Sequence, residues 1–333
     1  MRKNTLILIL FCSSVFIYTL FNSHQAHAVA TCNPNGAVTI TPPSIIVQRD
    51  APIGSQLSWT ATPNSVNFTC TGSISSSAGL GVKSYGNYLT NLSGNHNLYS
   101  TNIPGIAYSI GVNANGGSYH WAVNTANNER LTLSASGSWD ANNFISGGQS
   151  YSVAFYKVGP SGSGAMVPMT IGGGRLLLDS TYAPDVPINM TSFNVTTVAC
   201  SINSTIIQVP LEEVSVGDLT GVGTTAKPKQ FDLGLNCDAG ARINVKMTGT
   251  QNTDSSSAGV LQLTNAGNAS VATGVGIQIM YNGAPLSLNN NIVLKTSAGD
   301  QETFPFIAQY YQTQNTVTAG DANTTMTLNI TYQ

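Results

Sequence analysis

Charge is what this sequence has least of. Asp, Glu, Lys and Arg make up only 8% of its 333 residues, against about a quarter in an ordinary soluble domain. With 12 basic and 14 acidic residues, no stretch can neutralise a run of phosphates, which excludes a polybasic nucleic-acid binder. Long apolar runs are absent after the first 28 residues, so nothing later is expected to span a membrane. No CxxC pair occurs, and only His96 and His120 lie beyond residue 28, so a zinc site has little to draw on. Gly-x-Ser-x-Gly, His-Glu-x-x-His and phosphate-loop motifs are missing as well. Gly172, Gly173 and Gly174 open an apparent strand at Arg175 rather than a helix, which argues against a phosphate cradle.

The 41% of hydrophobic residues at low net charge is enough to bury a core and argues against disorder. The first 28 residues read as a secretory signal: Arg2 and Lys3, an apolar stretch 5–20, then Ala26-His27-Ala28. Cleavage is expected before Val29 or, two residues on, before Thr31. Cys12 falls in this segment without the small neighbours that lipidation needs. The remaining chain holds 10 basic and 14 acidic residues, divided five and five over 29–199 and five and nine over 200–333.

Four cysteines remain: Cys32, Cys70, Cys200 and Cys237. An even count in an exported chain reads as disulfides. Three pairings are possible, and the near-equal spacings favour Cys32–Cys70 and Cys200–Cys237, one bridge near the start of each half. A loop of that size stabilises by about 4 kcal/mol in the chain-entropy model.

The residue pattern is β throughout. Segments 230–236, 242–247 and 276–281 alternate apolar and polar residues, and Asn282-Gly283 is a hairpin-turn signal. Segments 151–156 and 175–178 are strand candidates in the first half. No segment sustains a helical period. The expected class is all-β, two β-sandwich domains: a first domain over 29–195, a short linker over 196–199 and a second domain over 200–333.

Cys200, the strand 231–237, the Thr318-Ala319-Gly320 step and a last strand 326–333 with penultimate Tyr332 resemble a chaperone–usher pilin domain. Segment 101–110, with the early cysteine pair, resembles the receptor-binding domain of two-domain fimbrial tip adhesins, closer to type 3-like adhesins than to the mannose-specific type 1 adhesin. The latter begins its mature chain with Phe, and this one would begin with Val or Thr. The resemblance implies immunoglobulin-like sandwiches, the C-terminal one incomplete and lacking its last strand. It implies a groove beside Met326, Leu328, Ile330 and Tyr332, filled first by a periplasmic chaperone and then by the N-terminal donor strand of the next subunit. An outer-membrane usher is the further implied partner. Export through the periplasm to the cell surface, at the fibre tip, follows. Only Val29, Ala30 and Thr31 would precede Cys32 after cleavage, about 10 Å of chain, so the chain is expected to receive a donor strand but not to give one.

All three Trp lie in the first half. Sugar sites set an aromatic face against C–H groups, with Asn and Asp bonding hydroxyls. Two segments have that chemistry: Trp139, Asp140, Asn142 and Asn143 after Ser138, and Tyr119, His120 and Trp121 before Asn124, Asn127 and Asn128. A Trp in a sandwich is also commonly core, and Trp121 precedes an apolar strand signal. The receptor class, host glycan or extracellular-matrix protein, stays open. No cofactor, metal or nucleic acid is expected. The alternatives are a structural or adaptor subunit without receptor binding, which would need a donor extension, and a secreted two-domain glycoside hydrolase, which would need a carboxylate pair that nothing here sets together.

Overall fold

The computed structural model describes residues 29–92, 96–114, 116–123, 128–137 and 139–333. The expected signal peptide, with Ser138, Asn124 and Asn127, lies outside the described residues. Nearly everything else is strand; the one α-helix among the described residues is Ala141–Ile145.

In the first unit two sheets face each other. One runs in the order Gln56–Ala61, Gln149–Lys157, Ile106–Ala114, His96–Ser100, Tyr88–Leu92. The other runs Glu129–Ser136, Ser77–Ser84, Met169–Leu178, Val186–Met190, Val38–Ile40, its final pairing parallel. Alternation along the strands sends Tyr108, Ile110, Tyr151 and Val153 of one sheet against Leu80, Val82, Leu176 and Val186 of the other, all 1% exposed or less. Glycine is required at 174, where a Cβ would collide with the buried Tyr151 hydroxyl.

In the second unit the alternation at 230–236 comes out as the pattern requires. Phe231, Leu233 and Leu235 are buried, and the polar residues between them point outward. One sheet runs Cys200–Ile202, Thr225–Cys237, Asp300–Gln312, Val275–Tyr281, Val260–Leu261, and the other Asn291–Thr296, Arg242–Gly249, Met326–Tyr332. Asn282 and Gly283 turn at positive φ (49° and 77°) between paired strands, as the hairpin signal demands. The disulfides are Cys32–Cys70 and Cys200–Cys237, each across directly paired residues of adjacent strands.

The connection between the units differs from expectation. Residues 196–199 are not a free linker: the strand Phe193–Val198 runs through most of them, parallel to Ile45–Gln48. β-branched Thr196, Thr197 and Val198 suit a strand and find partners in Ile46, Val47 and Gln48. Val195 belongs to the first core and Val198 to the second. Gln48 reaches across, its Nε2 donating to Gly240 O at 2.8 Å and its Oε1 accepting from Arg242 N at 2.9 Å.

Candidate functional site

The last strand, Met326–Tyr332, pairs along its whole length with Arg242–Gly249 and, among the described residues, with no strand on its other edge. An unpaired edge beside a core is where a sandwich lacks a strand. The opposite wall is built by residues that leave the other sheet early. Cys200–Ile202 pairs with Thr225–Cys237, and from Ser204 to Val214 no strand forms. Pro210 has no N–H to give a ladder, while Ile206 and Ile207 stay 76% and 37% exposed. Between the two walls runs a groove of about 620 Å³, floored by Phe231, Ile277, Ile279 and Tyr310 and bordered by Ile207, Leu211 and Met326.

Of the four residues expected along this groove, Met326 lines it directly. Leu328 and Ile330 sit half-buried on the same face of the strand, packed on the second core. Tyr332 is buried at the end of the strand, its hydroxyl donating to Cys200 O at 3.1 Å. The wall at 205–211 was missed by the sequence reading, although Ile206, Ile207, Val209 and Leu211 are apolar residues in a stretch without turn residues other than Pro210.

The seven residues singled out in the first unit fall into two separate groups, with no hydrogen bond or ring contact joining them among the described residues. His120–Trp121 forms a short strand against Gly111 and Val112. Trp121 stacks on His96, ring centroids 4.5 Å apart, and His96 Nδ1 lies 2.9 Å from the Tyr156 hydroxyl. Gly111 permits this, since a Cβ there would come within 3.0 Å of the Trp121 ring. Tyr119 meets Trp59 edge-on at 5.3 Å and shares a 2.5 Å hydrogen bond with Ser150. Burial pushes the His96 pKa down, favouring the neutral ring. Trp121 is half-buried and packs on the small cluster of Leu98, Ala107, Ala154 and Tyr156.

The other group is mostly occupied with local structure. Asp140 caps the helix Ala141–Ile145 by accepting from Asn143 N at 3.0 Å, and Asn142 Oδ1 accepts from Cys70 N at 3.1 Å. Trp139 is 46% exposed, its indole N–H donating to Ser136 O. Among the described residues no cluster of His, Cys, Asp and Glu is arranged to hold a metal.

Residues 188–333 match the family model described as fimbrial protein. Over 309 residues the chain is 28% identical to a fimbria adhesin protein of Klebsiella pneumoniae, covering 86% of this chain and 88% of that one. It is 32% identical to long polar fimbria protein A of Salmonella typhimurium over 130 residues, 38% of this chain and 71% of that one. The solved structure of the CupB6 tip adhesin from Pseudomonas aeruginosa aligns over 90% of this chain and 95% of its own, at 15% identity and a TM-score of 0.37.

Proposed function

The chain belongs to the fimbrial protein family, and we propose that it is a two-domain tip adhesin whose second unit is completed by a strand from a neighbouring subunit. The observation that carries this is the groove. An apolar seam with a free strand edge on one side and exposed Ile206 and Ile207 on the other is what β-strand addition fills: backbone hydrogen bonds supply affinity, and alternate side chains enter the floor. A periplasmic chaperone would fill it first and the donor strand of the next subunit afterwards, at the end of a route through the outer-membrane usher.

The first unit would then carry receptor recognition. Similarity to a fimbria adhesin along most of both chains supports that division of labour. So does the way residues after the expected cleavage site are held: Val29 bridges Ser73, and Thr31–Pro34 pairs with Phe68–Thr71, which leaves these residues unfit to serve as a donor. The Trp59–Tyr119 pair, Trp121 stacked on His96, or the exposed Trp139 would meet a glycan or matrix protein.

Co-expression tests the proposal. The full chain should accumulate in the periplasm only with a fimbrial chaperone and co-purify with it, and Ile207→Asp should abolish the complex. Equal yields of stable, chaperone-free monomer would contradict it. Binding of the complex to arrayed glycans and matrix proteins, compared with Trp121→Ala and Trp139→Ala, then locates recognition.

A further inference from the structure

On the outer face of the first unit's second sheet, five side chains from five different segments close on one another. The Arg175 guanidinium donates through Nε to Asp185 at 3.2 Å and through a terminal nitrogen to Glu129. The Tyr85 hydroxyl donates to the other oxygen of Asp185 at 2.7 Å, and the Tyr182 hydroxyl to the other oxygen of Glu129 at 2.9 Å. Arg175 also lies over the Tyr182 ring, 4.0 Å from its centre. Every carboxylate oxygen in the cluster has a named donor.

The backbone beneath is stripped to fit. Alternation puts Gly79, Gly81 and Gly173 on this face, since Leu80, Val82 and Leu176 point into the core. A Cβ on Gly173 would stand 2.8 Å from Asp185 Cβ and press into the Tyr85 hydroxyl. Arg175 and Glu129 side chains are only 15% and 9% exposed, yet the Tyr85 and Tyr182 residues are 48% and 38% exposed. Neither tyrosine packs on another ring among the described residues, unlike Trp121 and Trp59. Burial, then the hydrogen bond to Asp185, pushes the Tyr85 pKa up to about 12, so the phenol stays a donor.

Stability alone does not account for this cluster. Partly buried ion pairs gain little net stability, because desolvation offsets their attraction. The first unit has only five charges of each sign, and two of each converge here: Lys83 stands directly opposite both Glu129 and Gly173 in register, on the same face. The sum is zero, so the face neither draws in nor repels a charged ligand. What it offers is two exposed tyrosine rings and the Asp185 carboxylate, whose two oxygens accept one named hydrogen bond each and can accept another from a hydroxyl.

We propose that Tyr85, Tyr182, Glu129, Arg175 and Asp185 form a binding site for a neutral glycan. The sugar's C–H face lies on one or both tyrosines and its hydroxyls bond the Asp185 carboxylate, while Glu129 and Arg175 hold the two rings and Asp185 in place. The site is distinct from the seven residues considered above, and it rests on the first unit being the recognition part of an adhesin.

The test uses the full chain, co-purified from the periplasm with a fimbrial chaperone, and the chaperone alone as control, on an array of oligosaccharides ending in galactose, glucose, mannose or N-acetylhexosamine, with sialylated counterparts. The expected result is binding to at least one neutral glycan with no gain from sialylation. Tyr182→Ala and Tyr85→Ala should each weaken it tenfold or more with the chain still folded by circular dichroism at the assay temperature, and Tyr182→Phe, which keeps the ring, should weaken it less. Binding that survives both alanine variants, binding that requires sialic acid, or no glycan binding at all would overturn the site. A chain that bound a matrix protein but no sugar would overturn the site while leaving the adhesin reading in place.

Discussion

Asp50 of the first unit and Tyr332 of the last strand hold each other by two hydrogen bonds. The Asp50 N–H donates to Tyr332 O at 3.0 Å, and the Tyr332 N–H donates to the Asp50 carboxylate at 3.1 Å. Arg49 pairs with the same carboxylate and lies 4.7 Å over the Tyr332 ring. The unit assigned to recognition therefore grips the end of the strand whose free edge borders the groove. Asp50→Ala should destabilise the second unit by roughly 1.5 kcal/mol, the scale of a hydrogen bond to a charged group. Calorimetry of the full chain checks this, and unchanged transitions would refute it.

The same carboxylate predicts a pH dependence. Burial raises the Asp50 pKa, but the Arg49 guanidinium and the Tyr332 N–H outweigh burial and hold it below the ordinary range. A carboxylate depressed in the folded state contributes stability that is complete above the unfolded pKa, near 4, and is lost as pH falls through the folded value. The stability gap between the wild-type chain and Asp50→Asn should therefore be constant from pH 7 to about 5 and shrink below about 4. A gap that widened in acid would contradict the sign.

His96 works in the opposite part of the scale. Burial lowers its pKa, so protonation costs the desolvation of a charged ring. Stability from the neutral ring is full above the unfolded pKa of about 6.5 and declines as pH falls below it. The first unit's melting temperature should drop between pH 7.5 and 5.5, and His96→Gln should flatten that drop.

Replacing Cys200 and Cys237 together by Ala opens a loop of sequence separation 37. The chain-entropy model puts the loss at about 4 kcal/mol. Chemical denaturation should place the loss in the second unit and leave the first unchanged.

The fold was legible where chemistry is local. Two-residue alternation at 230–236, the Asn282-Gly283 turn and the cysteine spacing each depend on neighbours a few positions away, or on a count. The two walls of the groove illustrate the limit. Met326 to Tyr332 announces itself by alternation, but the wall at 205–211 is defined by the partner it does not have, which no local pattern records. The 196–199 stretch looked like a linker because its strand partner, Ile45–Gln48, lies some 150 residues earlier. Likewise, Tyr85, Glu129, Arg175, Tyr182 and Asp185 are scattered over a hundred positions and converge only when three strands of one sheet pair. Asp140 and Asn142 have the residue types of a sugar site, yet a helix cap and a backbone N–H occupy them.

The most direct test of the central claim is thermal unfolding of the mature chain with a synthetic donor-strand peptide of about fifteen residues, apolar at alternate positions. Binding only to the folded state at a hundredfold excess over Kd stabilises by about 2.7 kcal/mol, a rise on the order of 10 °C in the second unit's melting temperature. The account predicts that rise, and predicts its loss in Ile207→Asp. A chain already stable alone, with a melting temperature indifferent to the peptide, would contradict it.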